Sequence, residues 1–262
     1  MAKPRVLILR APGTNCDAET AHAFQLAGGR PEVWHLNRLL SEPHSATDFQ
    51  VLCLPGGFSY GDDLAAGRIF ANQIRHHLAD ALRAFHNAGG LILGICNGFQ
   101  VLIKSGLLDT VDTTGPAATL AWNDSGRFSA RWVCLRVESS RSVFLSGIDQ
   151  MFLPIAHAEG KFVALDEPTL DRLEQAGQLV LRYRPAGESA TDGAADVPAY
   201  NPNGAMRDVA GMCDATGRVL GMMPHPERFV DPTQHPWWTR LSQLSEEGEG
   251  LPLFRNAVRY FL

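Results

Sequence analysis

Short apolar runs alternate with helical patterns through the first hundred residues, and this alternation limits the possible folds more than any other feature. Val6-Leu7-Ile8-Leu9 reads as a buried strand, and residues 17–27 follow with apolar positions at helical spacing, closed by Gly28-Gly29. Residues 32–36 and Val51-Leu52-Cys53-Leu54 are two further strands, the latter ended by Pro55-Gly56-Gly57. Residues 69–88 form a long helical pattern ending in Gly89-Gly90; residues 91–95 are apolar again, and residues 99–104 look helical. Strands separated by helices pair in parallel through right-handed crossovers. The expected class is α/β: a doubly wound, open, mostly parallel sheet with helices on both faces. From about residue 113 to 163 the pattern turns strand-rich, clearest at residues 131–137 and 151–156, which implies strand-rich insertions. Residues 209–214 and 218–223, joined by Ala215-Thr216-Gly217, read as a hairpin, residues 185–198 as an exposed loop, and residues 251–262 as an amphipathic helix. With no internal repeat and no long linker, residues 1–262 are expected to form one domain.

Composition narrows the function classes. The 262 residues can bury a core without disulfide or metal staples. Net charge is 23 − 28 = −5, and the basic residues are scattered, so neither a nucleic acid nor a membrane surface is an expected partner. The apolar stretch near the start is too short for a signal peptide, and nothing approaches the length of a membrane span, so a cytoplasmic location is expected. Cys16, Cys53, Cys96, Cys134 and Cys213 lie tens of residues apart without a paired spacing. That argues against a disulfide framework and a zinc knuckle, and no metal is expected.

One cysteine stands in a different context. In Gly94-Ile95-Cys96-Asn97-Gly98-Phe99-Gln100 an apolar strand runs into a cysteine with glycines two residues either side, and a helix follows. This is a nucleophile elbow with sulfur in place of oxygen. The turn is expected to be too tight for side chains at the −2 and +2 positions to clear one another. It would lift the sulfur above the carboxyl edge of the sheet, where open α/β folds bind ligands. The helix N-terminus favours a thiolate, and the Asn97 N–H falls where an oxyanion would form. Cys16 is the rival, since it also links a strand to a helix, but Thr14 and Ala18 replace the flanking glycines. Cys53, Cys134 and Cys213 sit within strand patterns and read as core.

A sulfur nucleophile needs a base and a group to orient it. Two His-x-Glu pairs follow apolar strands, His157-Ala158-Glu159 and His225-Pro226-Glu227. In an extended segment, residues i and i+2 point to one side. The prolines at 224 and 226 hold the second pair extended, so His225 is the candidate base and Glu227 its orienter. Gly56 and Gly57 end a strand expected beside that of Cys96, and backbone N–H groups there could supply a second oxyanion donor.

With these motifs placed, the chain resembles the class I (triad) glutamine amidotransferases, whose fold is flavodoxin-like. Further stretches narrow the resemblance to one branch, glutaminase subunits that serve an ATP-dependent synthetase of purine biosynthesis. They are Leu9-Arg10-Ala11-Pro12-Gly13-Thr14-Asn15-Cys16-Asp17, Pro55-Gly56-Gly57-Phe58-Ser59-Tyr60-Gly61-Asp62-Asp63, Trp122-Asn123-Asp124-Ser125-Gly126-Arg127-Phe128, Tyr200-Asn201-Pro202-Asn203-Gly204 and His225-Pro226-Glu227-Arg228. The resemblance implies Cys96 as nucleophile, His225 as base, Glu227 as orienter, Gly57 and Asn97 as oxyanion donors, and Gln100 near bound glutamine. It makes Cys16 a residue of the first signature loop. The segment from His157 to Phe162 departs from the family by having Ala158 where glycine is usual, and residues 231–250 are longer than common short forms. The resemblance implies no cofactor in this chain, with ATP and Mg used by a partner synthetase subunit, and leaves a third small subunit open. The chain has only three lysines, and Gly160-Lys161 lacks the surroundings of a phosphate loop. The competing readings are a glutaminase serving another synthetase and a catalytically silent binding module.

Overall fold

The structure is a computed structural model that describes residues 2–111, 115–185 and 200–262. The elements run β1 (Arg5–Arg10), α1 (Asp17–Leu26), β2 (Arg30–His35), α2 (Leu36–Ser41), β3 (Val51–Leu54), α3 (Arg68–Gln73), α4 (Ala79–Asn87), β4 (Leu91–Ile95) and α5 (Asn97–Ser105). The strand-rich stretch follows as β5 (Thr110–Val111), β6 (Gly115–Pro116), β7 (Ala118–Ala121), β8 (Ser129–Val137), β9 (Gln150–His157) and β10 (Lys161–Ala164). The chain closes with α6 (Glu167–Gln175), β11 (Leu181–Arg184), β12 (Val209–Cys213), β13 (Val219–Met222) and α7 (Leu251–Arg259).

Nine strands form one sheet in the order β2-β1-β3-β4-β13-β12-β11-β8-β9. The first five are parallel, and every pair from β13 outward is antiparallel. The expected α/β class holds, and the late strands do more than decorate it. They extend the same sheet, and β13 returns beside β4 to complete the parallel half. Strands β3 and β4 are buried at every residue, as parallel strands covered on both faces must be. The order reverses between β1 and β3, so their carboxyl-end loops diverge there and leave a crevice. Among the described residues, no helix is long and apolar enough to cross a membrane.

The long helical pattern of residues 69–88 is not one α-helix. Between α3 and α4 the chain makes a π-helical turn at Ile74–Leu78. The buried positions explain it: Phe70, Ile74, Leu78 and Leu82 repeat every four residues. An α-helix turns every 3.6 residues, so that stripe would rotate off the core, and a wider turn restores its facing. The hairpin of β12 and β13 and the closing helix α7 lie close to their expected places. The loop expected at residues 185–198 falls almost wholly outside the described residues.

The elbow ties three elements together. Cys96 has φ +51° and ψ −106°, a conformation rare for a side-chain-bearing residue. A Cβ on Gly94 would meet the Gly98 carbonyl oxygen at 2.6 Å, as the tight turn requires. A Cβ on Gly98 would lie 1.8 Å from the Leu54 carbonyl oxygen, so the second glycine is set by the end of β3 as much as by the turn. Gly98→Ala is expected to destabilise the protein by about 3 kcal/mol through forced separation of α5 from β3. Urea denaturation of both proteins measures this, and coincident midpoints would contradict the close approach.

Candidate active site

The loops after β1, β3, β4 and β13 converge at one edge of the sheet. Cys96 follows β4, His225 lies three residues beyond β13, and these two strands are neighbours. The His225 N–H donates to the Pro154 carbonyl at 2.8 Å, which fixes the histidine turn against β9. Its Nδ1–H donates to Glu227 Oε1 at 2.7 Å, and both residues are buried. The expected extended segment does not form: Pro226–Arg228 is a 3-10 turn with His225 as its N-cap at φ −104° and ψ 88°, and the ring and carboxylate meet across that turn.

Burial disfavours a charged His225, but the charges of Glu227 and Cys96 and the nearness of the Cys16 and Cys96 sulfurs outweigh it. The imidazole is held well above its usual pKa, although neither sulfur is aligned for a hydrogen bond to Nε2. Two cysteines therefore flank one histidine, and their surroundings differ. Cys96 lines a cavity of about 310 Å³. Its neighbours in that wall include Gly57, Asp62, Gln100, Trp122 and Glu159. Cys16 is fully buried and does not line it. The Cys16 thiol donates to Asn15 Oδ1 at 3.2 Å, and its sulfur accepts from Arg228 Nη2 at 3.1 Å. Burial raises its pKa despite His225 and Arg228 nearby. Cys16, His225 and Glu227 bring one ligating atom each within 4.8 Å of one another, the trio among the described residues able to hold a metal. The short His225–Glu227 bond already gives that geometry an orienting use.

The remaining candidates divide by what they touch. Gly57, at φ +140°, lines the cavity, and a Cβ there would meet the backbone of Asn15 at 2.7 Å. Gly56 lies outside the lining and gives room instead, since a Cβ would fall 2.8 Å from His225 Cε1. Asn97 is the first residue of α5, where a backbone N–H has no intrahelical acceptor. Its side chain accepts from Ser59 N and donates to Asp62 Oδ1 and to Gln100 Oε1. Gln100 donates in turn to the Glu159 carbonyl at 2.6 Å. Its amide therefore braces the cavity wall as well as lining it.

The second His-x-Glu pair occupies the opposite wall. Asn123 Oδ1 accepts from Gly160 N at 3.2 Å, so it must also be the acceptor for His157 Nδ1 at 3.1 Å. Asn123 Nδ2 donates to the carbonyls of His157 and Arg127, and Asn203 Nδ2 donates to the Gly160 carbonyl at 2.7 Å. The signature stretches around Trp122 and Tyr200 thus hold residues 157–160 in place. Ala158 is not among the residues of positive φ, so alanine fits where the family favours glycine. The 231–250 stretch packs behind the site: its aromatic His235 and Trp237 meet Phe152, and Gly250 lies against the Pro226 carbonyl. Sequence reasoning missed Asp62 and Glu159 as cavity residues; only the spacing of Glu159 after His157 hinted at the latter.

Residues 3–261 match the family of CobB/CobQ-like glutamine amidotransferase domains. The chain belongs to that family. A phosphoribosylformylglycinamidine synthase subunit PurQ from Dehalococcoides mccartyi is 47% identical over 262 residues, covering 99% of this chain and 98% of its own. A solved structure of PurLQS from Thermotoga maritima aligns over 100% of both chains at 32% identity with a TM-score of 0.74. A glutamine amidotransferase from Thermotoga maritima, 16% identical, aligns over 89% of this chain and 80% of its own with a TM-score of 0.50, a likeness of fold alone.

Burial, with the positive charges of His225 and Arg131, lowers the pKa of His157 to about 3. Between about pH 6.5 and 3 the unfolded chain binds a proton there that the folded amidotransferase does not, so stability falls as pH drops through that window. His225 acts in the opposite sense: its stabilisation is present below its unfolded pKa and lost as pH rises through the raised value. His157→Gln is expected to flatten the acid limb of stability by up to about 1.4 kcal/mol per pH unit. Denaturant titrations from pH 6 to 4 decide it, and parallel limbs would mean His157 titrates normally.

Proposed function

We propose that the chain is the glutaminase subunit of phosphoribosylformylglycinamidine synthase, acting in the cytoplasm in de novo purine biosynthesis. The observation that carries the chemistry is the elbow sulfur at the cavity wall, with a buried His225–Glu227 pair in the turn that follows the neighbouring strand. Full-length similarity to subunits named PurQ supports the pathway. The unbroken family match supports reading residues 1–262 as one glutamine amidotransferase domain.

In this reading the Cys96 thiolate adds to the side-chain amide carbonyl of glutamine. The resulting oxyanion lies between the backbone N–H groups of Gly57 and Asn97. His225, as imidazolium, protonates the departing ammonia and leaves a glutamyl thioester on sulfur. The neutral imidazole then takes a proton from water as the water attacks, releasing glutamate and the thiol. Glu227 holds the ring and stabilises its charged form. ATP and Mg act in the synthetase, which uses the ammonia to convert formylglycinamide ribonucleotide to formylglycinamidine ribonucleotide. Residues around the cavity favour such a partner: Phe58, Trp122 and Phe128 expose aromatic rings, two of them packed 6.3 Å apart. Exposed aromatic surface beside a catalytic cavity suits a protein interface. A synthetase subunit and a small third subunit fit the relative solved as PurLQS.

Cys96→Ala is expected to lower glutamine hydrolysis by at least about a thousandfold, since no other group replaces the nucleophile. Cys16→Ala should retain turnover, and a glutamine-like electrophile should label Cys96 in preference to Cys16 by mass mapping. Full turnover in folded Cys96→Ala protein would sink the assignment. Ammonia freed into neutral water is mostly protonated and no longer nucleophilic, so the site should be incomplete until the synthetase docks. Addition of the purified synthetase and its nucleotides is expected to raise glutamate release at least about tenfold, roughly 1.4 kcal/mol of barrier. Equal rates with and without it would make the chain an autonomous glutaminase.

A further inference from the structure

Three side chains able to ligate a metal meet around the catalytic histidine. Cys16, His225 and Glu227 each bring one ligand atom within 4.8 Å of the other two, and all three are buried. None of them lines the cavity beside Cys96. The hydrolytic steps use His225 and Glu227 and leave Cys16 without a part.

Two observations set this trio apart from a chance cluster. Gly56 leaves the space between the sulfur and the ring free of a side chain. A Cβ there would lie 3.1 Å from Cys16 Sγ and 3.3 Å from His225 Nδ1. Glu227 accepts from His225 Nδ1 through Oε1 at 2.7 Å, while its Oε2 is buried without a hydrogen-bond partner. A thiol, an imidazole nitrogen and a carboxylate oxygen form a donor set suited to zinc, whose tetrahedral sites hold ligand atoms roughly 3 to 4 Å apart. Small side-chain rotations into the space beside Gly56 bring the trio to that spacing. Magnesium, which takes oxygen ligands and dehydrates reluctantly, does not suit it. The cation that opposes a metal here is Arg228, whose Nη2 donates to Cys16 Sγ at 3.1 Å. Its side chain is partly exposed and its Nε reaches Glu19 Oε1 at 3.4 Å, so it can withdraw toward Glu19 and solvent.

We propose that the trio is an inhibitory zinc site, in which Cys16 Sγ, His225 Nδ1 and Glu227 Oε2 bind the ion and water fills the fourth position. This rests on the glutaminase reading above and adds a means of control to it. Burial favours the protonated Cys16 thiol, and a bound dication reverses that preference. From the imidazolium form, the thiol proton and the Nδ1 proton pass to solvent, while Nε2 keeps its own. The ring is then a neutral ligand with no free lone pair. It can take a proton neither from the Cys96 thiol nor from the water that attacks the thioester, so hydrolysis stops. The ligand trio lies outside the cavity lining, so glutamine still binds, and zinc lowers kcat without raising KM.

The test uses the full chain, with free zinc set in the micromolar range by a chelator buffer and glutamate release as the readout. Zinc is expected to lower kcat at least about tenfold with KM within about twofold. Excess EDTA should restore turnover, and millimolar magnesium should change nothing. Cys16→Ala, which keeps its turnover in metal-free buffer, should need at least about tenfold more zinc for the same loss. Equal sensitivity of Cys16→Ala and the native protein would overturn the proposal, since the ion would then sit on Cys96. Native protein that zinc did not inhibit, or in which zinc raised KM alone, would overturn it too. X-ray absorption supplies a readout independent of turnover. Zinc bound to Cys96→Ala protein should have a sulfur ligand, and the double variant carrying Cys16→Ala as well should lack it. A sulfur-free zinc environment in Cys96→Ala would remove the site. Native protein that released no glutamate in metal-free buffer would overturn the glutaminase reading instead, and the absorption spectra would still decide the metal site.

Discussion

The approach of Gly98 to the Leu54 carbonyl sets the rest of the site. It brings the start of α5 against the end of β3, so the turn at Cys96 cannot relax toward ordinary backbone geometry. With that contact in place, the Asn97 side chain accepts from Ser59 N in the loop that carries Gly57. The sulfur stands between this loop and the His225 turn. A bulkier residue at 98 would push α5 away from the end of β3 and shift Cys96 relative to the loop that carries Gly57.

The antiparallel half of the sheet decides where the two His-x-Glu pairs lie. Strand β13 reaches β4 only after the chain has crossed β8, β9, β11 and β12. That path places His225 next to Cys96 and, through β9, brings His157 to Glu159 into the opposite wall. The two His-x-Glu pairs look alike in isolation and receive opposite electrostatics. Glu227 and the sulfurs raise the pKa of His225, while burial and positive neighbours lower that of His157. One imidazole is favoured in its charged form and the other stays neutral inside a packed wall.

The wall itself is braced by stretches that looked functional in the sequence. Asn123 and Asn203 bind the backbone of residues 157–160 and donate nothing to the cavity directly. Long, specific motifs can therefore be scaffolding for a short segment of the cavity wall. The fully buried Cys16 is similar: its hydrogen bonds run to Asn15 and Arg228, and it does not line the cavity.

Local physics made much of this legible from the residues alone. Strand-helix alternation required parallel strands and the glycine-flanked cysteine required an elbow, whereas the prolines fixed only their own φ and the segment closed into a 3-10 turn at Pro226–Arg228. Those signals are short-range, so one sequence window contains them whole. The π-helical turn at Ile74–Leu78 depended on which face meets the core, and the joining of late strands to the main sheet depended on long-range pairing. Asp62 and Glu159 were invisible for the same reason. They are 97 residues apart in sequence, and only tertiary packing brings both carboxylates to one cavity with Lys104 beside them.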